Sequence, residues 1–136
     1  MSREWIDAVS ETRFKDREWK GREKVRITTL DRLMAENGIP DFCKIDVEGF
    51  EPQVLMGLTS PIPCLSFEYT IPEKMDSVEA CLTQLGRIGN YECNYTRGEQ
   101  MKFELTAWVS GPVLLQTLRD LSSAVLFGDV YVRFKP

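Results

Sequence analysis

From Val25 onward the apolar residues change period repeatedly, two-residue alternation giving way to helical spacing and back, and this recurrence limits the fold more than any other feature. Val25, Ile27 and Thr29 alternate with Arg26 and Thr28, as in a short strand. Leu30, Leu33 and Met34 then share a helical face, with Thr28 or Thr29 placed to cap the helix and Gly38 to end it. Residues 41–47 predict a mostly apolar strand, covered on both faces and ended by Glu48-Gly49. Pro52 stands near the start of a second helix with Val54, Leu55 and Leu58 on its inner side. Residues 64–67 predict a buried strand ending at Glu68-Tyr69. Asp76 and Glu79 have capping-box-like spacing ahead of a helix that turns Val78, Cys81, Leu82, Leu85 and Ile88 inward and stops at Gly89-Asn90. Tyr91, Cys93 and Tyr95 alternate with polar neighbours, and so do Phe103, Leu105, Ala107 and Val109, which predicts two further strands. Pro112 opens a helix carrying Leu114, Leu115, Leu118 and Leu121, and Val130, Val132 and Phe134 mark a last strand.

Strands that alternate with helices imply crossover connections and a mostly parallel sheet with helices on both faces, while the later, half-buried strands are expected to pair antiparallel. The fold class is therefore α/β. A length of 136 residues suits one domain. Residues 1–24 read as a charged lead-in, with Trp5, Ile6 and Val9 at partly helical spacing, and residues 25–136 as the domain proper.

Composition narrows the function. Hydrophobic residues make up 43% and charged residues 28%, as in a globular chain with a core. The net charge of −4 argues against a nucleic-acid partner. The basic residues Lys15, Arg17, Lys20, Arg22, Lys24 and Arg26 are interleaved with Asp16, Glu18 and Glu23, the pattern of a solvated face. No apolar run approaches the roughly 18 residues of a membrane span, and no signal-peptide core is present, so a cytoplasmic location without membrane partners is expected. Cys43, Cys64, Cys81 and Cys93 show no C-x-x-C spacing and read as small core residues. The chain has no histidine, so no Ser-His-Asp or Cys-His system can be built within it. Any general base is a carboxylate, a lysine, a cysteine, a tyrosine or bound water.

Ligands of open α/β sheets bind beyond the carboxyl ends of the strands. Two strands end in acidic residues, Lys44-Ile-Asp46-Val-Glu48-Gly49 and Phe67-Glu68-Tyr69. Asp46 and Glu48, two apart, are expected on one side of their strand, with Glu68 close by if the strands are neighbours. Three readings stay open: Lys44 neutralises a carboxylate as a structural ion pair, Asp46 and Glu48 hold a divalent cation, or a carboxylate orients or deprotonates a hydroxyl nucleophile. Gly49 permits a sharp turn after the strand. Gly86-Arg-Ile-Gly89 reads as a helix stop, and no G-x-G-x-x-G or P-loop pattern occurs.

Thr28-Thr-Leu-Asp31, Phe42-Cys-Lys-Ile-Asp-Val-Glu-Gly-Phe-Glu51, Val54-Leu-Met-Gly57 and Cys64-Leu-Ser-Phe-Glu68, in this order and at these gaps, resemble the FkbM methyltransferase family. Gly128-Asp-Val-Tyr-Val132 is similar to the closing strand of some members. The likeness is good over roughly residues 25–70 and looser beyond. It implies the C-terminal part of a Rossmann-like class I sheet, with residues 41–47 as its fourth strand and 64–67 as its fifth. It also implies O-methylation of a hydroxyl on a sugar or small molecule, with S-adenosylmethionine as methyl donor. Asp46, Glu48 and Glu68 become the catalytic candidates, and Lys44, Gly49 and Tyr69 the substrate-binding ones. No metal is implied, and no cofactor-binding residue can be named. The glycine-rich loop and ribose-binding carboxylate of such folds have no counterpart in residues 1–24, whose single glycine is Gly21. The chain is thus expected to lack the N-terminal cofactor-binding strands. The competing expectation is a non-catalytic remnant that binds a partner, or another copy of itself, through an exposed sheet edge.

Overall fold

The computed structural model of the chain describes residues 24–121 and 126–135. The expected helical lead-in around Trp5, Ile6 and Val9, the basic run from Lys15 to Arg22, and Gly21 lie outside them. The elements are α1 (Leu30–Asn37), β1 (Phe42–Ile45), α2 (Glu51–Met56), β2 (Cys64–Ile71), α3 (Met75–Ile88), β3 (Tyr91–Tyr95), α4 (Gly111–Leu121) and β4 (Leu126–Phe134). They form a four-stranded mixed sheet of order β1-β2-β4-β3. β1 pairs parallel with β2, and β4 is antiparallel to both β2 and β3. The chain is α/β, and three strands run the same way. Because β4 is inserted between β2 and β3, two of the three ladders are nevertheless antiparallel.

Register sorts the side chains into two faces. Ile45, Phe67, Val130 and Tyr95 form one row across the sheet, and Cys43, Leu65, Val132 and Cys93 the next. These rows share one core cluster with Leu55 of α2, Val78, Cys81, Leu82 and Leu85 of α3, and Leu114 and Leu118 of α4. Among the described residues, helices therefore cover one face only, contrary to the expectation of two. The connections β1-α2-β2 and β2-α3-β3 both advance across the sheet in the same direction, and crossovers of one hand then place their helices on one side. On the opposite face lies the row Lys44, Ser66, Tyr131 and Asn94, with the pair Glu68 and Asp129 beside it.

The first helix is built as its ends suggest. Thr29 Oγ1 accepts the Arg32 amide at 3.2 Å, and Gly38, at φ 89°, donates its N–H to the Met34 carbonyl. The segment is also tied to the turn after α2. Asp31 accepts both the amide and the hydroxyl of Thr59 at 2.9 and 2.8 Å, and donates its own amide to the Gly57 carbonyl. A Cβ on Gly57 would lie 3.0 Å from that of Thr29. The Thr-Leu-Asp and Val-Leu-x-Gly segments thus hold each other.

Several expected strands differ. Residues 25–29 are not a strand: Val25 and Ile27 are 75% and 90% exposed, and no described strand lies alongside to pair with them. β1 is shorter than expected and forms a sheet edge among the described residues, with Phe42 47% exposed. β2 is longer, so Glu68 and Tyr69 lie within it, extended by the antiparallel ladder to β4. Residues 103–109 form a loop with a single bridge, Val109 to Cys93. The Asn94 carboxamide satisfies both backbone groups of Leu105, donating to its carbonyl at 2.9 Å and accepting its amide at 3.1 Å. That use explains why Asn94, expected outward, is 1% exposed. Asp76 does not cap α3. It lies in the first turn behind Lys74, where its charge still suits the helix N-terminus.

Candidate functional site

β1 and β2 are parallel, so their carboxyl ends reach the same border of the sheet. The chain leaves β1 through two consecutive left-handed residues, Glu48 at φ 53° and Gly49 at φ 92°. Glycine adopts this conformation freely, but glutamate does so only when its surroundings hold it there. The holding group is Glu51, 5% exposed in the first turn of α2. Its Oε1 accepts the amides of Val47 and Gly49, each at 3.2 Å. Glu51 closes the turn as a structural carboxylate, and the family motif had not marked it out for that role.

The turn, not strand alternation, brings Asp46 and Glu48 together, because β1 ends at Ile45 before either residue. Burial raises the Glu48 carboxyl above its ordinary value, and the charges of Asp46 and Glu51 raise it further. Glu48 Oε2 is shielded from solvent and has no hydrogen-bond partner. Glu68 is pushed up to about 7, chiefly by burial and then by the charges of Glu48, Asp46, Glu51 and Asp129. A carboxyl at that value exchanges its proton near neutral pH, as a proton acceptor must.

Lys44 supplies the opposite charge. Its Nζ lies 2.7 Å from Asp129 Oδ1 and 3.6 Å from Asp46 Oδ2. Burial opposes its charge, but the hydrogen bond to Asp129 and the charges of Asp129 and Asp46 outweigh this and hold Lys44 above an ordinary lysine. Asp129 is the site residue that the sequence did not single out. Its signal was Gly128-Asp129 at the start of a strand whose register sets Asp129 opposite Glu68. Gly128 allows that approach, since a Cβ there would lie 2.1 Å from the Thr96 carbonyl oxygen.

The structure thus gathers Lys44, Asp46, Glu48 and Glu68 at one border and adds Asp129. Gly49 forms the turn and, with Glu51, Glu68 and Lys74, lines a narrow cleft against α3. Tyr69 points away from Glu68, as neighbours in a strand do. It is 2% exposed, its hydroxyl donates to the Thr96 carbonyl at 3.0 Å, and burial raises its phenol well above the ordinary value. No three His, Cys, Asp or Glu side chains among the described residues are arranged to hold a metal ion. The cysteines are free; Cys81 and Cys93 are buried, and burial pushes Cys93 up to about 12. No described helix is long and apolar enough to cross a membrane.

A family model described as the methyltransferase FkbM domain matches residues 3–95. The match covers α1 to β3 and includes every carboxylate of the site except Asp129. No curated protein and no solved structure matches the chain.

Proposed function

The chain belongs to the FkbM methyltransferase family, and from that premise we propose that the border formed by β1 and β2 receives a hydroxyl-bearing acceptor, a sugar or small molecule, for O-methylation. The observation that carries this reading is the convergence of Asp46, Glu48 and Glu68 on one border, with Glu68 held close to neutrality. A hydroxyl oxygen that takes up a methyl group must lose its proton, and Glu68 is the group suited to accept it. Asp46 and Glu48 are suited to orient the acceptor through hydrogen bonds from its other hydroxyls. Lys44 limits the repulsion among the carboxylates.

The methyl donor implied by the family is S-adenosylmethionine, within a Rossmann-like class I sheet. The described residues do not by themselves fit a nucleotide. The cleft beside Glu68 is narrow and walled by Glu51, Tyr69, Val78 and Cys81, and it offers neither a glycine-rich loop nor a ribose-binding carboxylate. The roles these residues support therefore lie on the acceptor side.

The test is a calorimetric titration with S-adenosylmethionine and S-adenosylhomocysteine, followed by transfer of a labelled methyl group to a panel of sugars and small alcohols. Transfer to a hydroxyl acceptor is the outcome the reading requires. Glu68→Gln should keep the fold and lower transfer by about 10²- to 10⁴-fold. A chain that binds neither compound and labels no acceptor would overturn the reading.

A further inference from the structure

The Lys44–Asp129 pair joins strands that are not neighbours. β1 and β4 are separated by β2, a span of about 10 Å between strand axes. Lys44 is level with Ser66 of β2, and Asp129 is level with Glu68 two residues further along. The lysine side chain therefore passes over β2 on the helix-free face, between Ser66 and Glu68, to reach its partner at 2.7 Å. Ser66 beneath is 0% exposed, and its hydroxyl has no partner.

This bridge contributes little to stability. The Lys44 side chain is 48% exposed, and solvent screens an ion pair so exposed. Its effect on the site is larger. A flexible lysine beside several carboxylates binds whichever one best localises it, and Glu68 is close enough for its proton affinity to respond to Asp129. An ammonium resting on Glu68 would hold that carboxylate ionised and weak as a base.

Asp129 is fixed well enough to prevent this. Gly128 packs against Thr96, the Thr96 amide donates to the Asp129 carbonyl at 2.9 Å, and the Tyr69 hydroxyl secures the Thr96 carbonyl. We propose that Asp129 is a positioning residue that holds the Lys44 ammonium across β2 and so keeps it off the Glu68 carboxylate. The proposal rests on the reading of Glu68 as the proton acceptor. The charged groups whose fields reach Glu68 are Asp46 and Glu48 from the turn after β1, Glu51 from α2 and Asp129 from β4, with Lys74 on the shared cleft and Lys44 of β1 held by Asp129.

Carboxyl-carbon NMR of the labelled chain gives the titration midpoint of Glu68 directly, whether or not the chain transfers a methyl group. Asp129→Asn should move the midpoint down by about one pH unit, because a negative neighbour is lost and Lys44 is released towards Glu68. Lys44→Met should move it up, because Asp129 is left uncompensated. Direct loss of either charge moves the midpoint in the same directions, so the double variant decides: Asp129→Asn should lower the midpoint less in the Lys44→Met background than when Lys44 is present. A midpoint that stays or rises in Asp129→Asn, or that falls equally with and without Lys44, overturns the proposal. If Asp129→Asn does not fold, the Lys44 ammonium resonance of the wild type decides: one that stays unchanged through the Glu68 midpoint supports the proposal, and one that shifts with it overturns the proposal. Failure of methyl transfer in the wild type, with both midpoints moving as expected, would overturn the function proposed above and leave the positioning intact.

Discussion

At the scale of single residues, Glu68 links the site to the stability of the chain. Its folded value, about 7, lies above the ordinary value of 4.5, so between these pH values the folded chain holds the proton more tightly than the unfolded one. Its contribution to stability is complete below about pH 4.5 and is lost as pH rises through about 7. Glu68→Gln should therefore be more stable than the wild type at pH 8, by roughly 1 kcal/mol once solvent screening is allowed for, and nearly equal to it at pH 4. Urea melts at the two pH values check this. Gly49 has the opposite character, since it serves the turn and not the proton. At φ 92° a β-branched side chain is strained, and Gly49→Val should cost about 1–3 kcal/mol at every pH, measured by the same melts. Lys44-Ile-Asp-Val-Glu-Gly-Phe-Glu51 thus contains two kinds of carboxylate. Glu51 turns inward to bind amides, whereas Asp46 and Glu48 remain at the border.

At the scale of elements, the amphipathic helices behaved as their sequences indicate, and the weakly alternating segments did not. α3 buries Leu82 and Leu85 and α4 buries Leu114 and Leu118, while Leu115 and Leu121 are partly buried against the core. Residues 103–109 alternate as well as many strands do, yet they form a loop. In the fold their burial does not alternate, with Phe103 and Ala107 exposed and Leu105, Trp108 and Val109 partly buried. The decisive group is Asn94, whose carboxamide takes the hydrogen bonds that a ladder would otherwise make. Asn94→Ala would leave the Leu105 amide and carbonyl without partners and should cost about 2 kcal/mol. Thermal denaturation measures the loss, and faster exchange of the Leu105 amide would locate it. Residues 25–29 show the converse, for their alternation needs a neighbouring strand that the described residues do not supply.

At the scale of the whole molecule, one hydrophobic core ties three helices to one face of a mixed sheet whose central strands are β2 and β4. Hydrogen exchange should follow that layout. Amides of β2 and β4 should exchange slowest, while the outer amides of β1 and those of residues 99–103 should exchange fastest. Equal protection of β1 and β2 would show that β1 is not an edge in solution. The sequence by itself determined the α/β class, the positions of α1 to α4 and the two acidic segments. Each of these depends on local periodicity, capping or turn chemistry carried by nearby residues. The tertiary structure alone decided the insertion of β4 between β2 and β3, the single helix-bearing face and the recruitment of Asp129. Strand register over long sequence separations fixes these, and Lys44 meets Asp129, 85 positions further along the chain, only because β2 pairs with both β1 and β4. Family likeness marked the carboxylates that share a short motif, but only the folded sheet separates those that face the border from the one that holds the turn.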